Sequence, residues 1–239
     1  MIRKFGSLYI GHVDLADIGF GGIPVNDRRL SDEQLATVFA KAESIARLMD
    51  RLGYETLWLG EHHFQHEGHE CIPNPLLLGV HLSRLTGRLR FGCAFNVTPN
   101  WHPLRLAEDY ATADILTNGR IVFGVGRGYH SREVETLGSP LIDQDANREL
   151  FEEQVEIIFK AFNEPSFSHH GRHYQIPPPV PYRGYRLGGN HAGAAAAQPS
   201  GRVLPADRQR QPARHGLHGP QRNQRHDRRG WGGGRRGRR

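Results

Sequence analysis

Apolar positions along the chain change period several times. Phe5, Leu8 and Ile10 give a short apolar strand over residues 4–10, followed by a Gly- and Asp-rich loop to about Leu30. Leu35, Val38, Phe39, Ala42, Ile45, Ala46 and Met49 then recur at helical spacing, which predicts a helix with one buried stripe. Ser31 and Gln34 form a capping-box pattern at its start, Asp32 and Glu33 complement its dipole, and Gly53 stops it. A second strand is predicted over Thr56–Leu59, leading into Glu61-His62-His63. Residues 75–85 read as a helix and 89–94 as a third strand. Residues 103–116 form a helix with Pro103 in its first turn and Gly119 just past its end. A fourth strand over 121–125 runs into Gly126-Arg127-Gly128-Tyr129. Residues 147–162 are amphipathic, with Leu150, Phe151, Val155, Ile158 and Phe162 on one side, and 167–176 alternate as a hairpin does.

Strand then helix, four times over, predicts an α/β fold with a parallel sheet and crossover helices. Four such units are half of a (β/α)8 TIM barrel, and they also suit an open doubly wound sheet. Periodicity does not choose between the two. From about Gly188 the pattern is lost: the chain becomes Arg, Gly, Ala, Gln, Pro and His, a composition that cannot bury a core. The expected division is a partial barrel over 1–187 and a disordered, low-complexity Arg/Gly-rich tail over 188–239.

Charge follows that division. The total is +6, but residues 190–239 hold 12 Arg, no Lys and two Asp, hence +10, which leaves −4 for the first 189 residues. The basic balance therefore belongs to the tail. An RNA-binding role through that tail, by counterion release, is an alternative of another class; Trp231 is its only aromatic for base stacking. We expect no specific nucleic-acid partner. Two cysteines, Cys71 and Cys93, give no disulfide framework. Neither a membrane span nor a signal-peptide layout is visible, so the expected setting is cytoplasmic.

Three loops at strand ends carry the candidate chemistry. His62 follows the second strand; at a barrel rim, a histidine moves protons near neutral pH, or simply bonds a backbone carbonyl. His62, His63, His66 and His69, with Glu67 and Glu70, could form a metal cluster but lack the spacing of a zinc helix, and no metal site is expected. Backbone N–H groups around Gly126 and Gly128 can cradle an anion, with Arg127 to pair a phosphate. Cys93-Ala94-Phe95-Asn96 ends the third strand with small residues that let a flat ligand approach, or that serve packing alone.

In order and spacing over about residues 1–185, these segments resemble the bacterial luciferase-like, flavin-dependent monooxygenase family. The residues carrying the likeness are Lys4-Phe5-Gly6, residues 57–64 (Leu-Trp-Leu-Gly-Glu-His-His-Phe), Asn74-Pro75, residues 102–105 with 107–109, and Gly119-Arg120 leading to residues 123–128. The resemblance implies a (β/α)8 barrel that binds reduced FMN at its C-terminal rim and uses O2 to oxygenate a small organic substrate. It implies a flavin reductase as partner and a homodimer as assembly. His62 takes the place of the family's proton-transfer histidine. Ala94 and Phe95, with Asn96, take the place that backs the flavin ring, often through an unusual peptide bond. Arg127, within Gly126–Tyr129, takes the place of a flavin-phosphate contact. Luciferase has Cys where this chain has Gly126, so light emission is not implied. Some barrels of this kind use a deazaflavin instead; Glu61-His62-His63 favours the FMN branch.

A further half barrel, with a Ser-containing phosphate loop, is not legible after residue 187. Synonymous codons for residues 190–231, read from the second base of each, permit an apolar string containing VSANPRG, which resembles that missing loop. A single-base insertion, or a two-base deletion, near residues 186–189 accounts for the change, and the chain as written is then truncated and impaired, with weakened flavin affinity. Sequencing the gene across codons 180–195 from an independent preparation is expected to reopen that frame. A reading that reproduces the present one removes the sequencing-error account.

Overall fold

The computed structural model describes residues 4–15 and 27–178. The Arg/Gly-rich stretch and the expected change of reading frame lie outside the described residues. The chain runs β1 (Gly6–Tyr9), α1 (Asp32–Leu52), β2 (Thr56–Leu59), α2 (Pro75–Ser83), β3 (Arg90–Cys93) and β4 (Asn96–Val97). A 3-10 turn (Thr98–Asn100) follows, then α3 (Pro103–Thr117), β5 (Ile121–Val122), β6 (Val125–Gly126), α4 (Ser131–Val134), α5 (Gln144–Asn163), β7 (His169–His170) and β8 (Gln175–Ile176).

Strands β1, β2, β3 and β5 form one parallel sheet in that order, with Gly6 opposite Thr56, Thr56 opposite Arg90, and Phe91 opposite Ile121. The order follows the chain without reversal, so these strands do not show the switch point of a doubly wound sheet. Alternate strand residues face the helices: Leu57, Leu59, Phe91 and Ile121 pack with Ala42, Ala46 and Met49 of α1, Leu82 of α2, and Leu106 and Tyr110 of α3. On the other face Trp58 lies across glycines of both neighbouring strands. A Cβ on Gly92 would meet its ring at 2.4 Å, and one on Gly6 would meet its Nε1 at 2.9 Å. Leu8, paired in register with Trp58, is 57% exposed on that face.

The helix ends match their sequence signals. Ser31 accepts the Gln34 N–H while the Gln34 side chain accepts the Ser31 N–H, and Gly53 closes α1 at φ +82. Helix α5 starts three residues before the apolar pattern does, because Asp143 caps it by accepting the Asp145 and Ala146 N–H groups. At the N-terminal end of the strands, Asp50 accepts the N–H groups of Gly87, Arg88 and Leu89. Arg120 donates there to the carbonyls of Ser83, Thr86, Leu89 and Thr117. No described helix is long and apolar enough to cross a membrane. The hairpin pairs as expected, β7 antiparallel to β8.

One prediction needs correction. The fourth strand is not continuous over 121–125 but divides into β5 and β6, and β6 pairs with the unanticipated β4 in a second ladder. The cause is close backbone approach. The Gly124 carbonyl accepts the Asn96 N–H at 2.9 Å, and a Cβ on Gly124 would lie 1.9 Å from the Cys93 carbonyl oxygen. Backbone cannot yield as a side-chain tip does, so Gly124→Ala is expected to cost at least about 2 kcal/mol of stability. Gly87→Ala, whose nearest contact would be an ordinary 3.8 Å, is expected to stay within about 0.5 kcal/mol. Urea melts of the two variants against the parent check this; equal midpoints would refute the steric account.

Candidate active site

Parallel strands end together, so the loops after β2, β3, β4 and β6 all emerge at one edge of the sheet, where α/β proteins place their chemistry. The loop after β2 carries Glu61, His62 and His63. The peptide bond between Ala94 and Phe95, after β3, is cis. Residues 127–129 follow β6, and α4 then delivers Glu133.

His62 is 8% exposed and held from several sides. Its Nδ1 lies 3.1 Å from Oε1 of Glu133, which is itself 1% exposed. The same Glu133 oxygen accepts the His63 N–H at 3.1 Å and the Gln65 amide at 2.9 Å. Nε2 faces Oε1 of Glu70 at 3.6 Å, and the Tyr129 ring stands edge-on with centroids 5.9 Å apart. Burial alone would pull the His62 pKa down. The hydrogen bond and charge of Glu133, with Glu70 and Glu61 beyond, outweigh it and hold the pKa above the ordinary histidine value. Burial alone would raise Glu133; bonds from His62, Gln65 and the His63 N–H hold it below the usual carboxylate range. His62 thus bonds a carboxylate rather than a backbone carbonyl.

Glu61, 1% exposed, is a second buried hub. One oxygen accepts the Asn96 amide at 2.6 Å and the Val97 N–H at 2.8 Å; the other accepts the Trp101 indole N–H and lies beside His63 Nε2, both at 2.9 Å. This carboxylate ties the end of β2 to β4 and to the start of α3. It also settles the orientation of Asn96, whose amide oxygen accepts the Tyr110 hydroxyl. The Asn96 side chain therefore supports the loop from beneath and is fully buried. Phe95 is 49% exposed above it. Gly126 lets the Phe95 ring lie close: a Cβ there would meet ring carbons at 3.0 Å.

Gly128 has φ +78 and no room for a Cβ beside Val97 and Val134, so only glycine suits the turn. Arg127 is half-buried, and its hydrogen bond to the Gln144 carbonyl is long, 3.5 Å. Tyr129 turns away from Arg127's bond and joins the His62 cluster, its hydroxyl donating to Glu70 at 3.0 Å. Burial and the Glu70 carboxylate push that phenol up to about 12. Of the acidic residues near the first loop, Glu67 is gripped by Arg132 through both oxygens at 2.8 and 2.9 Å. Among the described residues no group of three His, Cys, Asp or Glu side chains is placed to hold a metal ion.

Sequence reasoning weighed Glu70 only as a metal-ligand candidate, used Glu61 only as part of the Glu61-His62-His63 run, and did not single out Glu133. Glu61 stood inside a quoted motif, so its position was visible and its burial was not. Glu133 lies in a four-residue helix too short for any periodic signal, and it is buried only because α4 folds back over residues 62–65.

The structure places a histidine between carboxylates at the loop end of a parallel α/β sheet, and comparison with known proteins supplies the family. The family described as luciferase-like monooxygenase matches residues 22–199. The chain belongs to that family. It is 32% identical over 154 residues to the oxygenase component of the flavin-dependent trigonelline monooxygenase of Acinetobacter baylyi, covering 64% of this chain and 42% of that protein. It is 30% identical over 140 residues to an alkanal monooxygenase alpha chain of the Kryptophanaron alfredi symbiont, covering 59% and 38%. The oxygenating constituent of 3,6-diketocamphane monooxygenase from Pseudomonas putida, solved in complex with FMN, superposes with a TM-score of 0.60 at 21% identity, over 73% of this chain and 43% of that one. The chain spans about two-fifths of the length of these curated relatives.

The His62–Glu133 pair has a defined pH window. His62, raised from 6.5, contributes stability that is complete below that value and lost as pH climbs through its folded pKa. Glu133, lowered from 4.5, contributes stability present above that value and lost as pH falls through its folded pKa. The pair is strongest between the two. Glu133→Gln is expected to lower the His62 pKa and to cost about 2 kcal/mol at pH 6, with a smaller loss at pH 8. Histidine NMR titration and urea melts at both pH values check this. An unmoved His62 pKa would show that Glu133 does not govern its charge.

Proposed function

We propose that this chain supplies the flavin-facing part of an FMN-dependent monooxygenase built on a (β/α)8 barrel, of which the described sheet is the first half. The carrying observation is the enclosed His62–Glu133 pair next to Glu61, which supports the 94–97 loop. Residues 94–96 suit a flat tricyclic ring: Phe95 is half-exposed over a buried Asn96–Glu61 support, and Gly126 lets the Phe95 ring lie close to the backbone. Arg127, whose guanidinium makes only a long bond to the Gln144 carbonyl among the described residues, can pair a phosphate. The FMN in the diketocamphane enzyme and the flavin dependence of the trigonelline enzyme support the same cofactor. The latter is an oxygenase component, which supports a separate reductase as the source of reduced flavin.

When bound, reduced FMN supplies the electrons that let O2 deliver one oxygen atom to an organic substrate. The protein's part is to bind, orient and move a proton. Phe95 and the 94–96 backbone would hold the flavin ring, and Arg127 would hold its phosphate. Glu133 holds His62 through Nδ1 and favours its protonated form, so Nε2–H is the donor to a reacting oxygen, and the buried setting strengthens that hydrogen bond. Leu77 of α2 and Leu116 of α3, 68% and 58% exposed, flank a cleft of about 330 Å³ lined by both helices, which supports pairing with a second copy.

His62→Ala is expected to reduce oxygen transfer by about 10²–10⁴-fold while flavin binding changes little. Arg127→Ala is expected to weaken FMN binding about tenfold or more, from loss of a charge-assisted bond. Anaerobic flavin titration and O2 uptake with an added reductase separate the two. Unchanged FMN affinity in Arg127→Ala would refute the phosphate assignment, and full turnover in His62→Ala would refute the proton-transfer role.

A further inference from the structure

A buried proton donor must be recharged after each use. Nδ1 of His62 is committed to Glu133, which is sealed from solvent and already accepts three donors on one oxygen. Nε2 faces a different carboxylate. Glu70 lies 3.6 Å away with its side chain 23% exposed, and a small rotation brings that gap to hydrogen-bond length. Tyr129, 68% exposed, donates its hydroxyl to the same Glu70 oxygen and sets its ring edge against His62. From Nε2 the polar groups thus lead outward through a carboxylate and a phenol to water.

The backbone bears this out. Glu70 sits at φ +55, in the left-handed region that costs a non-glycine residue about 1–2 kcal/mol. The loop is pinned there on its C-terminal side, where Cys71 N–H donates to Gly11 at 2.7 Å and Ile72 accepts the His62 N–H at 2.9 Å. A loop held off its preferred conformation, with its carboxylate at the one open ring nitrogen, points to use of that carboxylate.

We propose that Glu70, oriented by Tyr129, is the relay through which the buried His62 exchanges its proton with bulk water. This rests on the reading of His62 as the proton-transfer group. After Nε2 has given up its proton, hydronium from bulk solvent protonates the Glu70 carboxylate and leaves water. The Glu70 O–H bond then breaks as the Nε2–H bond forms, leaving a carboxylate and a restored imidazolium. Four side chains face His62: Glu133 from α4, Glu61 from the end of β2, Glu70 from the loop between β2 and α2, and Tyr129 from the loop between β6 and α4. Of these, only Glu70 and Tyr129 reach solvent.

The test is NMR on the full chain with ¹⁵N-labelled histidine, reading the solvent exchange rate of His62 Nε2–H at pH 7. Glu70→Gln is expected to slow exchange about tenfold or more, with His62 still charged through Glu133. In Glu70→Ala, added formate is expected to restore the rate, which a structural role would not allow. Tyr129→Phe, at an exposed position, is expected to keep the fold and to slow exchange by removing the hydroxyl that orients Glu70. Unchanged exchange in Glu70→Gln, or formate without effect, overturns the relay. A His62 that titrates as a free histidine in the full chain removes the enclosure and overturns it as well. Turnover of His62→Ala is read separately, so a failure of the catalytic reading is not mistaken for a failure of the relay.

Discussion

A carboxylate taken out of water needs hydrogen bonds in return, and the loop end of this sheet is arranged around two that have them. Glu61 and Glu133 are each 1% exposed, and together they accept or face seven polar groups from β4, the residue before α3's cap and the loop between β2 and α2. Removing either would strand its donors in a region without solvent, a larger loss than the mean worth of a hydrogen bond. The two hubs also divide the labour: Glu61 supports the 94–97 loop from beneath, and Glu133 governs the imidazole beside it.

The second constraint is backbone proximity. Gly124 against the Cys93 carbonyl, Gly126 under Phe95 and Gly92 under Trp58 are places where a methyl group has no room. These contacts break the fourth strand, create the short β4–β6 ladder and leave Phe95 half-exposed. The flat surface is therefore a product of glycine placement and a buried carboxylate acting on the same few residues.

Asymmetry around His62 follows from where its neighbours end. The partner of Nδ1 comes from a short helix folded over the loop and is sealed. The partner of Nε2 comes from the loop's outer edge and is wet. One side of the ring can hold charge while the other exchanges it, a separation that a symmetric pair of buried carboxylates would not provide.

By itself the sequence determined the elements and their order. The helix stripe from Leu35 to Met49, the Ser31–Gln34 box, Pro103 and the strand of residues 56–59 were legible because helix periodicity, capping and strand alternation are local properties. It also showed the run at residues 61–63 and the Gly-rich turn after the fourth strand as places for chemistry. The tertiary structure alone decided which carboxylates those residues meet. Glu70 and Glu133 lie 8 and 71 residues from His62, and their burial depends on loops whose path no local pattern encodes. It likewise decided the break at Gly124, since a clash with Cys93 exists only once β3 and β5 are paired. Periodicity records which face a residue presents; it does not record what stands opposite.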